Sequence, residues 1–191
     1  MNLPNRLTIL RVLLIPVFVF SLFLPSLFGA SQDLTAWLSS FIFIIAGITD
    51  TLDGKIARKR NLITDFGKFM DPIADKLLTC SAMIMLTYLD RLHPVFTIIF
   101  IAREFIISGF RLIAAGKGVV IAADKLGKIK TVLQIIFIVA LLLAPALPFR
   151  LLQPFYGYCC LGLVIVTIFI SIFSCIQYIT KNKGVIDFHD C

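Results

Sequence analysis

The sequence predicts an all-α integral membrane protein with six transmembrane helices, a short N-terminal interfacial segment and both termini in the cytoplasm. Of its 191 residues, 59% are hydrophobic and only 15% are charged, whereas a soluble domain carries about 25% charged residues. Apolar runs that approach the length needed to cross a hydrocarbon core of about 30 Å as helix recur along the chain. Lys and Arg are concentrated at one set of predicted helix ends, which indicates that these ends face the cytoplasm.

Six apolar segments account for the predicted spans. They cover residues 7–28, 36–51, 73–89, 95–115, 132–147 and 156–179. The second and third are short because each is expected to continue as helix into the charged stretch between them. The first is preceded by NLPNRLT, residues 2–8, which we expect to lie along the cytoplasmic interface. No linker, internal repeat or low-complexity tract is evident, so residues 1–191 are predicted to form a single domain.

The basic residues give the orientation. Those at the predicted cytoplasmic ends are Arg6, Arg11, Lys55, Arg58, Lys59, Arg60, Lys68, Lys117, Lys125, Lys128, Lys130, Lys181 and Lys183. The opposite ends hold only Arg91 and Arg150. A net charge of +7 placed on one side is typical of a multi-pass protein of the cell membrane beside anionic lipid, so no nucleic-acid partner is expected. The charged stretch 50–75 then faces the cytoplasm.

That stretch, DTLDGKIARKRNLITDFGKFMDPIAD, carries spaced carboxylates beside apolar sequence. At about 100° per residue, Asp50 and Asp53 share one helix face with the small residues Gly54 and Ala57, and Arg58 lies at its border. Because glycine and alanine leave room at the backbone, a flat or phosphorylated ligand can approach this face closely. The guanidinium of Arg58 is suited to binding a phosphate.

A second stripe follows, and the ten or so residues between the stripes are expected to form a short hairpin that lets the two stripes face one another. Gly67, Asp71 and Asp75 recur every four residues on the predicted third span. Taken singly, Asp71 before Pro72 could instead be a helix N-cap with proline in the first turn, and the earlier acids could be solvated helix ends. Four acids that converge near a membrane boundary repel one another, however, and require cations. Carboxylate ligands favour two hard divalent cations, magnesium or manganese.

The spacing Asp50-x2-Asp53-Gly54-x2-Ala57-Arg58-x8-Gly67-x3-Asp71-x3-Asp75 resembles the signature of the CDP-alcohol phosphotransferase family. The resemblance implies a six-helix membrane enzyme, usually a homodimer, that transfers a phosphatidyl or similar group from a CDP-linked donor to an alcohol and releases CMP. It implies metal ligation by Asp50, Asp53, Asp71 and Asp75, with Asp75 also as the catalytic base. It implies CDP-donor contacts for Asp53, Gly54, Ala57, Arg58 and Gly67.

The acceptor is predicted from charges in and after the fourth span. Glu104, Ser108 and Arg111 share one helix face, Arg103 lies one step round, and Lys128 follows in a basic segment. We expect Arg103, Arg111 and Lys128 to bind an acceptor phosphate, although an ion pair with Glu104 could instead only fix helix packing. The lysines could likewise be an ordinary basic loop near anionic lipid.

Over residues 2–131 the pattern most resembles bacterial members of the family that use CDP-diacylglycerol and sn-glycerol 3-phosphate. Inositol 3-phosphate is the alternative acceptor, because it would use the same cationic pocket. A cation transporter or channel is the alternative of another class, since intramembrane acids can bind a permeating ion. The clustering of the acids at one boundary, rather than at the midplane, argues against transport.

Overall fold

The computed structural model describes residues 3–59, 65–119, 125–146 and 153–185. Within these ranges it describes only the backbone of residues 3–6, 50–59, 65–69, 71, 72, 75, 125, 153, 154 and 185. The described residues form helices and no strand, which confirms the predicted all-α class. The helices are α1 (Leu3–Leu22), α2 (Leu24–Phe28), α3 (Gln32–Lys59), α4 (Asp65–Tyr88), α5 (Pro94–Gly116), α6 (Lys125–Leu143) and α7 (Gln153–Lys181). Short 3-10 turns follow at Ala144–Ala146 and Lys183–Val185.

The first predicted span is divided into two helices. Helix α1 ends at Leu22 and α2 begins at Leu24, with Pro25 in its first turn. In a continuous helix Pro25 could not donate to the carbonyl of Ser21 and its ring would clash with that carbonyl, so the helix is interrupted at Phe23. The segment 2–8 is not a separate element, because α1 begins at Leu3 and runs on into the apolar sequence.

Helices α3 and α4 both extend beyond their apolar segments, as predicted. Helix α3 continues through Asp50 to Lys59, and α4 already begins at Asp65. The expected connection of about ten residues is therefore shorter, because only residues 60–64 separate the helices, and these lie outside the described part. Pro72 does not lie in the first turn of a helix, as an N-cap at Asp71 would require, because helix precedes it from Asp65 onward.

Three described helices have the length and apolar composition needed to cross a membrane. Their apolar stretches are Gln32–Thr49, Leu126–Ala146 and Phe155–Lys181. Leu7–Leu22 and Lys76–Tyr88 are shorter apolar helices, and α5 carries charges near its middle. The chain is a membrane protein; the count of six spans stays a prediction.

Two compact units are distinguished within the chain. The first comprises residues 1–92 and 138–157, and the second comprises 93–137 and 158–191. In the first unit, α1 packs on both α3 and α4, and Phe18 contacts Phe43 with ring centroids 5.8 Å apart. In the second unit, Phe100 packs on Phe137 with centroids 5.2 Å apart. The candidate site residues are divided between these units.

Candidate active site

The acidic motif lies on two helices of the first unit that contact each other. Positions 50 and 53 are in α3, and positions 71 and 75 are in α4. A helix continues for nine residues beyond Asp50 and begins six residues before Asp71. The interpretation of Asp71 as an N-cap is therefore wrong, and Asp50 is not at a helix end. The side chains of all eight motif residues lie outside what the structure describes, so their proposed roles stay predictions.

The backbone arrangement fits a divalent-metal site. Spacings of three and four residues in continuous helix keep Asp50 with Asp53, and Asp71 with Asp75, on common faces of two contacting helices. The donor set consists of carboxylates, which suit hard cations such as magnesium and manganese. Among the side chains that the structure does describe, no group of three or more His, Cys, Asp or Glu could hold a metal. Metal ligation by the four motif acids stays a prediction.

Arg11 is a residue near this motif whose position the sequence did not reveal. We counted it among the basic residues at helix ends, yet it is fully buried within α1. Short connections make neighbouring helices antiparallel, so the direction toward the start of α1 is the direction toward the end of α3. From the contact between Phe18 and Phe43, two turns in that direction reach Arg11 on α1 and Asp50 on α3. The backbone positions of Arg11 and Asp50 are therefore at similar heights. A buried guanidinium at this level is a charge complementary to the acidic motif.

A second polar cluster joins three helices of the second unit. Arg103 and Glu104, neighbours in α5, form an ion pair with Nη1 and Oε1 3.3 Å apart. The other terminal nitrogen of Arg103, Nη2, donates to Ser174 Oγ in α7 at 3.1 Å. Lys130 of α6 pairs with the same Oε1 atom of Glu104 and is almost completely buried. Its ammonium group also lies 5.9 Å from the ring centroid of Phe100. Glu104 thus binds two cations at once.

Arg111 lies two turns further along α5 and is exposed. Its Nε donates to the hydroxyl of Tyr178 at 3.2 Å, and its guanidinium carbon lies 5.4 Å from the centroid of the same ring. These contacts hold the side chain of Arg111 in place. Its two terminal nitrogens make no hydrogen bond to a described residue. Lys128 is also exposed, whereas Ser108 donates to the carbonyl of Glu104 in its own helix at 2.5 Å. Arg111 and Lys128 are therefore free to bind an anion.

The structure thus gives different surroundings to the three predicted acceptor-binding residues. Arg103 is engaged in the ion-pair arrangement that the sequence left open, and Arg111 and Lys128 are accessible. From its place in a basic segment, Lys130 is expected at the cytoplasmic surface, and its burial is not predicted. One signal was available: Lys130 lies near the start of α6, just before a long apolar run in which a lysine requires a partner.

The Glu104–Lys130 pair is expected to be essential for stability. Replacing Glu104 by Gln leaves Lys130 and Arg103 without their carboxylate, which costs roughly 3 to 5 kcal/mol, whereas replacing Lys130 by Met leaves Glu104 paired with Arg103 and should cost less. We expect both variants to unfold at lower temperature in detergent, measured by circular dichroism. The double variant should lose less stability than the sum of the two single losses, because both single changes remove the same Glu104–Lys130 contact. Lys128→Met is the matched control, since that lysine is exposed; equal losses in Lys128→Met and Lys130→Met would contradict this role.

Comparison with known proteins connects these sites to a family. The model of the CDP-alcohol phosphatidyltransferase family matches residues 1–176, which include the acidic motif and the cluster around Glu104. The chain belongs to this family. Members of the CDP-alcohol phosphatidyltransferase family generally depend on divalent cations, in agreement with the carboxylate donor set.

Curated relatives in the CDP-alcohol phosphatidyltransferase family carry one enzyme name. The chain is 43% identical over 187 residues to CDP-diacylglycerol–glycerol-3-phosphate 3-phosphatidyltransferase of Bacillus subtilis (strain 168), and the match covers 95% of each chain. The protein of that name from Rickettsia typhi is 43% identical over 142 residues, 74% of this chain and 76% of the relative. The one from Salmonella typhimurium is 36% identical over 194 residues and covers 96% of each.

Proposed function

We propose that this membrane protein transfers the phosphatidyl group of CDP-diacylglycerol to sn-glycerol 3-phosphate, forming phosphatidylglycerophosphate and releasing CMP. The observation that carries this proposal is the match to the Bacillus subtilis enzyme, which extends over 95% of both chains. The eight motif positions support the same chemistry, because they lie on two contacting helices as the reaction requires. A cation transporter is not retained, since the family consists of phosphatidyltransferases.

The chain's own residues have separate roles in this reaction. Asp50, Asp53, Asp71 and Asp75 would hold two divalent cations, magnesium or manganese. When bound, these cations supply Lewis-acid stabilisation of the charge on the diphosphate and on the CMP leaving group.

Asp75 is the proposed general base for the acceptor. It removes the proton from the 1-hydroxyl of glycerol 3-phosphate, and this oxygen attacks the β-phosphorus of the donor as the bond to CMP breaks. On the donor side, Asp53, Gly54, Ala57, Arg58 and Gly67 form the surface for the cytidine diphosphate group.

The acceptor phosphate is assigned to Arg111, Lys128 and Arg103. Support is strongest for Arg111, because Tyr178 holds its stem and leaves the terminal nitrogens for two phosphate oxygens. Arg103 already binds Glu104 and Ser174. It would therefore bind the acceptor phosphate while keeping part of these contacts.

The proposal includes the setting of the enzyme. Six helices cross the cell membrane in a single 1–191 domain, with both termini and the acidic motif on the cytoplasmic side. The one-sided placement of Lys and Arg supports this orientation. Membrane lipids surround the apolar faces, and the functional unit is a homodimer, as the family resemblance implies.

The reaction is tested with purified protein in lipid–detergent micelles that contain CDP-diacylglycerol. We expect CMP release with glycerol 3-phosphate and little with inositol 3-phosphate, free glycerol or serine, and the lipid product should carry a second phosphate. Turnover with inositol 3-phosphate alone would replace the acceptor but keep the family chemistry. Equal turnover with free glycerol would contradict an acceptor-phosphate site.

Arg111→Gln should raise the Michaelis constant for glycerol 3-phosphate far more than that for the donor. Loss of a charged hydrogen bond to phosphate costs about 1.5 to 3 kcal/mol, or roughly 10- to 150-fold in acceptor efficiency. Lys128→Gln and Arg103→Gln should act in the same direction with smaller effects on the acceptor constant. The matched control is Lys117→Gln, which removes an exposed cation just beyond the same helix. An Arg111→Gln enzyme with the wild-type acceptor constant would exclude Arg111 from the phosphate site.

A further inference from the structure

A largely apolar pocket with a few polar side chains lies in the first unit at the end of α3 remote from the acidic motif. Its walls come from the turn between α1 and α2, the beginning of α3 and the end of α4, and its volume is about 180 Å³. Phe23 and Tyr88, whose ring centroids are 5.5 Å apart, form part of one wall. Gln32, Thr35 and Arg91 add hydrogen-bond donors. The family reaction leaves this pocket without a role.

Arg91 is the charged group of the pocket and is held in place by the backbone. Helix α4 ends at Tyr88, Asp90 follows in the left-handed conformation at a φ of 56°, and the N–H of Arg91 donates to the Leu86 carbonyl at 2.9 Å. One guanidinium nitrogen, Nη1, donates to the carbonyls of Leu141 and Leu142 at 3.5 and 3.3 Å. The side chain is therefore positioned by the end of α6 while its Nε and Nη2 have no hydrogen-bond partner among the described residues.

This guanidinium also has no counter-charge in the described part of the chain, where no carboxylate lies within ion-pair distance of it. Burial lowers the pKa of the Arg91 guanidinium from its ordinary value. Thr35, which is 4% exposed, lines the same pocket, and its buried hydroxyl oxygen has no hydrogen-bond partner among the described residues. A half-buried cation beside an unsatisfied hydroxyl is a favourable environment for an anion.

The surrounding side chains indicate where that anion lies. Trp37 and Tyr88 are 61% and 65% exposed, and Phe28 at the end of α2 is 71% exposed. Exposed aromatic residues of this kind mark the headgroup level of a membrane, where amphipathic rings are favoured. Phosphate groups of phospholipids occupy the same level. The apolar part of the pocket wall, with Leu22 and Leu89, suits the glycerol and upper acyl region of such a lipid.

We propose that the pocket between Thr35 and Arg91 binds the phosphate of an anionic membrane phospholipid in the leaflet opposite the acidic motif. Arg91 Nη2 and Nε donate to the phosphate oxygens, and the hydroxyl of Thr35 donates to a third. A bound lipid would join α3, α4 and the end of α6 through Arg91. The site is independent of the transferase reaction, because none of its residues belongs to the motif or to the acceptor cluster.

The single tryptophan of the chain provides the assay. Trp37 is two residues from Thr35 and therefore on the opposite face of α3. Trp37→Phe combined with Tyr88→Trp moves this tryptophan to the pocket wall, where lipids with brominated acyl chains bound in the pocket should quench its fluorescence, and all proteins compared carry this background. Full-length protein is reconstituted in phosphatidylcholine with increasing fractions of brominated phosphatidylglycerol. A second series uses brominated phosphatidylcholine with unlabelled phosphatidylglycerol, and the two series together give the affinity for phosphatidylglycerol relative to phosphatidylcholine. We expect wild type to favour the anionic lipid at least threefold. Arg91→Gln should abolish the preference, Arg91→Lys should retain most of it, and Thr35→Val should reduce it about twofold.

Two controls test whether the quenching comes from lipid bound beside Arg91. Lys117→Gln removes a cation in the second unit and should keep the wild-type preference. Inorganic phosphate at millimolar concentration should leave the quenching unchanged; displacement by it would indicate a site for free phosphate instead of lipid and overturn the proposal. Because Arg91→Gln also removes a helix-end contact, Thr35→Val and Arg91→Lys decide the case if that variant does not fold. Equal quenching by both lipids in wild type, or an unchanged preference in Thr35→Val and Arg91→Gln, overturns the proposal.

Discussion

Asp75→Asn should abolish CMP release while the protein still binds the donor. Asparagine keeps the size of the side chain but cannot accept the acceptor proton, and a general base contributes about 10²- to 10⁴-fold to rate. The other three acids remain as cation ligands, so the affinity for CDP should change by less than about tenfold. Turnover is measured by CMP release at saturating substrates, and binding is measured by equilibrium dialysis with radiolabelled CDP.

The matched control for this variant is Asp65→Asn. Asp65 is the first residue of α4, ten residues before Asp75, and it is not part of the motif. We expect its replacement to leave turnover within a fewfold of wild type. An Asp75→Asn enzyme that turns over within tenfold of wild type would remove the base role. Loss of CDP binding together with turnover would assign Asp75 to cation ligation alone.

Removal of divalent cations should reduce turnover below detection, with full recovery on addition of magnesium or manganese. Four acids on two contacting helices repel one another without cations, and they would also repel the diphosphate of the donor. Protein treated with EDTA and dialysed is assayed with each metal over a concentration series, and EDTA saturated with magnesium is the control for the chelator itself. Circular dichroism shows whether the helices persist in the metal-free protein. Normal turnover in metal-free buffer with an intact fold would refute the two-metal proposal.

Helix continuity and the motif could be read from the sequence because both depend on local spacing. The extension of α3 to Lys59 and of α4 back to Asp65 follows from stripes that repeat at three and four residues, which only a continuous helix brings to one face. Family membership was recognisable for the same reason. The turn at Phe23 was missed because apolar sequence continues across it, although Pro25 gave a local signal.

The burial of individual charges could not be predicted in the same way. Lys128 and Lys130 are two residues apart in one basic segment, yet the first is exposed and the second is buried against Glu104. Which of the two turns inward depends on the position of α5, which is about 25 residues earlier in the chain. Arg11 was misjudged for a related reason, since its burial results from the packing of α1 on α3 and α4. Hydropathy reflects the free-energy cost of burying such charges, but it does not identify the neighbouring groups that compensate for this cost.

Helix α3 changes from apolar to acidic within one residue, because its apolar stretch ends at Thr49 and Asp50 follows in the same helix. On the proposed function, the donor's diphosphate therefore reacts about one turn from the hydrocarbon boundary while its acyl chains stay among those of other lipids. The enzyme then encounters its donor by lateral diffusion in two dimensions. Its rate depends on the mole fraction of donor in the membrane surface, so dilution with inert lipid slows turnover even when the amount of donor in the suspension is constant.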